Sequence, residues 1–267
     1  MKRKTISVFR LLLISWLLIG STSAFAFDCK QVTKNYLLSN LPNSPLTRNF
    51  IKQAKIVHKR KVDNICECIL DVNGRFLPVY VGNDFVVFGK MYSKGVLVSR
   101  DIIQKMYEKK DKEFSKLFLK YKKDFDKLAV ITYKPTSSAK KILYMVTDPL
   151  CPYCHKAESK IKDLVKRYNV ILKIVLFSVH GPKGKRKAEE AICKNFNLDQ
   201  YFSDKWRDKQ QEKIGCKKGK EILKQTFNLV GLLGIKGVPT FIFEDGTKVV
   251  GANLLALEAM LRERNSK

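Results

Sequence analysis

A chain of 267 residues, 45% of them hydrophobic, is long enough for one large or two modest folded domains. Its 52 Lys and Arg against 25 Asp and Glu leave a formal charge of +27. The basic residues run along the whole chain with no nucleic-acid motif among them, which argues against a nucleic-acid reader and for a lysine-rich solvated surface; the densest cluster, Lys183 to Lys187, reads as a solvated helix start.

The first element is a leader. Lys2, Arg3 and Lys4 precede an apolar run from Leu11 to Ile19 and then Ala24-Phe25-Ala26. A basic start, a short apolar core and an A-x-A site predict a secretory signal peptide over 1–26, cut after Ala26. The apolar run is short of the roughly 18–20 residues that an uncleaved anchor needs, and no later stretch is long and apolar enough to span a bilayer. The mature chain is therefore expected in an oxidising compartment, where cysteines can pair.

Residues 28–40 predict a short amphipathic helix, stopped by Pro42 and Pro45. From about 54 to 98 the pattern turns to strands. Val62, Asn64, Cys66, Cys68, Leu70 and Val72 alternate onto one face, Asn73-Gly74 marks a hairpin turn, and Phe76–Val81, Asp84–Phe88 and Val96–Val98 follow. A helix on so small a meander has little core of its own and would gain stability by pairing with a copy of itself. From Asp101 to Leu128 apolar residues recur at three- and four-residue steps, Ile102, Met106, Phe114, Phe118, Tyr121 and Phe125 among them. That predicts one long helix with Ser99 or Asp101 as cap, a connecting arm; a coiled-coil seam is the rival reading.

The remainder alternates. Ala129–Tyr133 and Ile142–Thr147 read as strands, Ala157, Ile161, Leu164, Val165 and Tyr168 as the apolar face of a helix, and Val170–Phe177 as a strand. A largely helical stretch between Ser178 and Ile235 precedes strands at Thr240–Phe243 and Lys248–Val250 and a final helix capped by Asn253. Where the second strand turns into its helix lies Asp148-Pro149-Leu150-Cys151-Pro152-Tyr153-Cys154-His155. Cys151 would head the helix, where unpaired N–H groups and the helix dipole stabilise a thiolate, and Cys154, one turn on, can close a disulfide with it. The pair reads as a redox dithiol. His155 reads first as an exposed helical histidine, with a charge beside the thiolate as the rival reading. Asp148 either assists proton transfer or serves as a turn residue before Pro149.

A CPYC at a strand–helix junction, followed much later by Gly237-Val238-Pro239-Thr240-Phe241, resembles the thioredoxin superfamily. With the leader, the small N-terminal helix-and-strand module and the helical arm, the mature chain resembles the DsbC/DsbG family of periplasmic disulfide isomerases and thiol oxidoreductases. The resemblance implies an α+β dimerisation module over 27–98, a linker helix over 99–127 and an α/β thioredoxin-like catalytic domain over 128–267 with a helical insertion at about 178–235. It implies Cys151 as attacking and Cys154 as resolving thiol, with Pro152 and Tyr153 shaping the loop. Pro239 would be a cis-proline beside the dithiol and Val238 the residue whose backbone meets substrate. Cys193 and Cys216 would form a structural disulfide. It further implies a homodimer, secreted or periplasmic substrate proteins, and a membrane redox partner of DsbD type, or of DsbB type for an oxidase; it calls for no cofactor or metal.

Two features depart from the pattern. The isomerases carry threonine before the cis-proline, whereas Val238 matches DsbA-like oxidases. The N-terminal module holds three extra cysteines, Cys29, Cys66 and Cys68. Cys29 bridged to one of the other two would staple helix to sheet, while a Cys66–Cys68 bridge within one strand would be strained. Three further readings compete: haem attachment, since Cys151-Pro-Tyr-Cys154-His155 also fits Cys-X-X-Cys-His; zinc held by Cys66, Cys68, Cys151 and Cys154, against which the long separation of the two pairs counts; and a chaperone in which the dithiol is incidental.

Overall fold

The computed structural model describes residues 27–207 and 215–266; the leader expected over 1–26 lies outside them. The chain divides into two compact units, the first ending at Met106 and the second starting at Tyr107.

The first unit opens with a 3-10 turn, Cys29–Gln31, followed by helices α1 (Lys34–Ser39) and α2 (Pro45–Gln53). The single helix expected over 28–40 is thus broken. Asp28 caps the turn and Thr33 caps α1, its Oγ1 accepting from Tyr36 N at 3.1 Å. Pro45, expected to act as a stop, instead begins a helix. Ser44 Oγ accepts from Thr47 N at 3.1 Å, and a proline in the first turn forfeits no intrahelical bond.

Four antiparallel strands then form one sheet in sequential order: β1 (Lys55–Val62), β2 (Ile65–Val72), β3 (Arg75–Val81) and β4 (Val86–Phe88). The alternating run expected from Val62 to Val72 is in fact two strands. Asp63, at φ 52°, turns the chain, so Val62 ends β1 and Asn64 lies in the turn. The Asn73-Gly74 hairpin is present, both residues at positive φ, as a primed turn requires. Cys66, Cys68 and Leu70 of β2 pack on Leu37, Ile51, Val79 and Val81. Glu67, on the opposite face of β2, is also buried; it is paired with Arg60 and accepts from Tyr80 Oη at 3.2 Å. A two-stranded ribbon, β5 (Tyr92–Ser93) and β6 (Val96–Leu97), completes the unit.

Helix α3 (Arg100–Lys127) is continuous, as its periodicity predicts, and runs from the first unit into the second. Its second half is core rather than arm: Phe114, Phe118 and Phe125 are buried, and Tyr144 meets Phe118 and Phe125 edge to face.

The second unit is built on a five-stranded sheet of β7 (Ala129–Tyr133), β8 (Ile142–Thr147), β9 (Ile171–Leu176), β10 (Thr240–Phe243) and β11 (Lys248–Val250). Their order is β11-β10-β8-β9-β7, with only β8 and β9 parallel. Alternation along β8 assigns the two layers. Leu143 and Met145 belong to a core with α4 (Pro152–Arg167), α5 (Gly181–Cys193), α6 (Leu198–Phe202) and α8 (Leu254–Asn265). Tyr144 and Val146 belong to the other, with α3 and α7 (Lys217–Leu232). The α3 layer fits closely: a Cβ on Gly246, which holds φ at +79° in the β10–β11 turn, would lie 2.7 Å from Ser115 Cα. The basic cluster at 183–187 is not wholly solvated, because Lys187 is buried and donates to Glu190 Oε2 (2.9 Å) and Trp206 O (2.8 Å). Among the described residues no helix is long and apolar enough to cross a membrane.

Candidate dithiol site at the head of helix α4

The site forms where β8 ends and α4 begins. Thr147 closes the strand, Asp148 to Leu150 make the turn, and Pro152 occupies the first turn of the helix. Cys151 is the N-cap, its carbonyl accepting from Cys154 N (2.9 Å) and His155 N (3.1 Å). Its Sγ therefore sits at the positive end of a 16-residue helix, 3.7 Å from Val238 O, and the residue as a whole is 4% exposed. The Val238–Pro239 peptide is cis, and Thr240 Oγ1 donates to Gly237 O at 2.7 Å beside it. Two segments 87 residues apart in sequence thus meet at one sulfur.

Cys154 lies behind, with no exposed surface. Burial pushes its thiol well above the usual range, the Asp148 amide and Thr147 hydroxyl only partly offsetting that effect. Asp148 N approaches Cys154 Sγ at 3.5 Å. Tyr153 stands out from the protein, 67% exposed, and Pro152 beside it is exposed as well.

Asp148 organises the turn. Fully buried, its carboxylate accepts from Leu150 N (2.8 Å), Val179 N (2.7 Å), His180 N (3.2 Å) and His180 Nδ1 (2.8 Å). It ties the loop before α4 to the loop before α5. His155 is half-buried, with Nε2 2.7 Å from Pro149 O, so its ring is fixed against the same turn.

Beneath the dithiol lies a polar cluster that sequence reading misses. Glu158 Oε1 accepts from Thr147 Oγ1 (3.3 Å) and Oε2 from Arg207 (2.7 Å), with both charged partners buried. Burial raises the Glu158 carboxyl above its usual range despite Arg207 and His155. Tyr201 is buried against Arg207, 5.2 Å from ring centroid to guanidinium. The one available signal was that Glu158 falls four residues after Cys154 on a helix, and so on the same face. Arg207, 49 residues away, left none.

Four of the remaining five cysteines form two disulfides. Cys193, the last residue of α5, bonds Cys216, the N-cap of α7 (2.07 Å), and Cys29 bonds Cys66 (2.11 Å). Cys68 is a buried free thiol. Cys66, one of the four cysteines weighed for zinc, is therefore held in a disulfide. Among the described residues no group of three or more His, Cys, Asp or Glu is placed to hold a metal ion.

Among solved structures, a linker-deletion mutant of Proteus mirabilis ScsC is similar at 19% identity and TM-score 0.49, covering 63% of this chain and 92% of that one. The thiol-disulfide exchange protein alpha-DsbA2 from Wolbachia pipientis is similar at 18% identity and TM-score 0.47, over 57% and 96%. Helicobacter pylori DsbG is similar at 16% identity and TM-score 0.38, over 71% and 93%. No curated protein sequence matches. The profile of the thioredoxin-like domain matches residues 128–263, about half the chain, on the sheet and helices that place Cys151 opposite Val238. The chain belongs to the thioredoxin-like family.

Proposed function

We propose that this chain is a periplasmic thiol:disulfide oxidoreductase that acts on secreted proteins through Cys151 and Cys154, as a disulfide isomerase or reductase of DsbC/DsbG type. The observation that supports this best is the Cys151 sulfur at the head of α4, 3.7 Å from the Val238 carbonyl. The Cys151 thiolate attacks a substrate disulfide; one substrate sulfur bonds to Cys151 and the other leaves as a thiolate. The Val238 backbone meanwhile pairs with the substrate as an added strand. A substrate thiolate can then attack the mixed disulfide and release Cys151, which is isomerisation. Alternatively Cys154 loses its proton, attacks Cys151 Sγ and releases the substrate thiolate, which is net reduction. Burial disfavours the Cys154 thiolate that this second route needs. On this reading the chain is a homodimer through residues 27–98, and a DsbD-type membrane protein keeps the dithiol reduced.

The second reading is a DsbA-like oxidase on the same scaffold, reoxidised by a DsbB-type partner, and Val238 before the cis-proline favours it. The deciding experiment is the reduction potential of Cys151–Cys154 together with its redox state trapped in the cell. A mostly reduced pair supports the isomerase or reductase. A potential near about −120 mV with Cys151 disulfide-bonded supports the oxidase. Haem attachment fits the site poorly, since Cys154 has no exposed surface and His155 Nε2 is engaged by Pro149 O. Binding of unfolded chains by a variant lacking both cysteines would show a chaperone role independent of the dithiol.

A further inference from the structure

The first unit holds three sulfurs in a row. Cys29, half-exposed in the opening 3-10 turn, is bonded to Cys66 of β2. Cys68, the next residue on the same face of β2, is a fully buried free thiol with Sγ 3.7 Å from Cys66 Sγ. That separation is van der Waals contact between sulfurs, so a nucleophile and a disulfide lie side by side.

We propose that Cys66 exchanges partners, so that the thiol stored at Cys68 is delivered to the surface at Cys29, which thereby becomes a site of thiol modification by small disulfides and electrophiles. Cys68 gives its proton to water, and its thiolate attacks Cys66 Sγ. The Cys66–Cys68 bond forms as the Cys29–Cys66 bond breaks, and Cys29 leaves as a thiolate that takes up a proton. One disulfide and one thiol exist before and after, so the step needs neither oxidant nor reductant. It is also independent of the dithiol on α4.

The exchanged isomer is the minor one. Cys66 and Cys68 lie two residues apart on an extended strand, a Cα separation of about 6.6–6.8 Å, the far end of what a disulfide spans. The charged groups acting on Cys68 are Lys59, paired with it across β1 and β2, which favours the thiolate, and Glu67, which opposes it. The turn and helices packed on that face present Val32, Leu37 and Ile51, and β3 presents Val79 and Val81, all apolar. Burial, with Glu67 acting in the same direction, outweighs Lys59 and pushes the Cys68 thiol up to about 11. Exchange is therefore slow at neutral pH and gains about tenfold per pH unit, with the thiolate fraction.

The test uses the oxidised chain with Cys151→Ser and Cys154→Ser, so that no other free thiol shuffles, incubated natively with iodoacetamide and mapped after tryptic cleavage without reduction. Cys66 and Cys68 fall in one tryptic peptide, Val62 to Arg75, so a bridge between them shows as a loss of two mass units. The expected result is alkyl label on Cys29 with Cys66 and Cys68 bridged, accumulating about tenfold faster at pH 9 than at pH 8. A further Cys68→Ser change should keep Cys29–Cys66 intact and unlabelled. Label on Cys68 with Cys29–Cys66 intact, label only after denaturation, or label on Cys29 in the Cys68→Ser chain would each overturn the proposal.

Discussion

At the scale of single residues, the two cysteines of α4 divide the chemistry by their depth in the protein. Cys151 meets substrate at a helix head, whereas Cys154 must attack from a buried position that disfavours its thiolate. Cys151→Ala is expected to abolish activity, while Cys154→Ala should accumulate a mixed disulfide visible on a non-reducing gel. In the intact protein, resolution by Cys154 should quicken about tenfold per pH unit through the neutral range, because its thiolate fraction grows at that rate below a raised pKa; stopped-flow decay of a preformed mixed disulfide measures it. Glu158 makes a different prediction. Replacing it with Ala removes the one buried carboxylate on Arg207 among the described residues and leaves the guanidinium to the exposed Asp204 and the Tyr201 carbonyl, a loss of about 2–3 kcal/mol to be read from urea denaturation. The sequence made Cys151, Cys154, Val238 and Pro239 legible because each belongs to a short contiguous motif. The Glu158–Arg207 pair was not, since neither residue type nor spacing reports that two charges 49 residues apart share a buried site.

At the scale of elements, periodicity found β7 to β11, α3, α4 and α8, because each buries one face or one stripe against a large core. In the first unit it found β3, β4, β6 and the Asn73-Gly74 hairpin but misplaced the elements before them, where local chemistry decides. Pro45 is compatible with a stop and with a start, and only the Ser44 cap distinguishes them. The Val62–Val72 alternation runs unbroken through a turn because Asn64 happens to keep the parity, and Asp63 reverses the chain there by adopting positive φ. For α3 the apolar stripe was plain but its partner was not: the stripe seats Phe118, with no exposed surface, between Phe125 and Tyr144. Phe118→Ala should therefore cost about 3–5 kcal/mol in urea denaturation, as a core truncation does and an exposed linker position would not.

At the scale of the whole molecule, charge and self-association set what can be measured. If residues 27–98 join two copies, light scattering on the mature chain at micromolar concentration should give twice the protomer mass. A protomer mass under those conditions would refute the dimer. The exposed apolar side chains Phe85, Val87, Phe88, Tyr92 and Val96 of the first unit supply surface for such a contact.

The three neighbouring sulfurs of the first unit also bear on how the protein is made. During oxidative folding Cys29 can close a loop onto Cys66, 37 residues away, or onto Cys68, two residues further. The difference in chain entropy between those loops is under about 0.1 kcal/mol, too little to choose. What distinguishes the two partners is the packing of Val32, Leu37 and Ile51 on β2. A first bond made to Cys68 leaves Cys66 as a thiol beside the error, ready to displace it, so this small module can edit its own mispairing without an external catalyst.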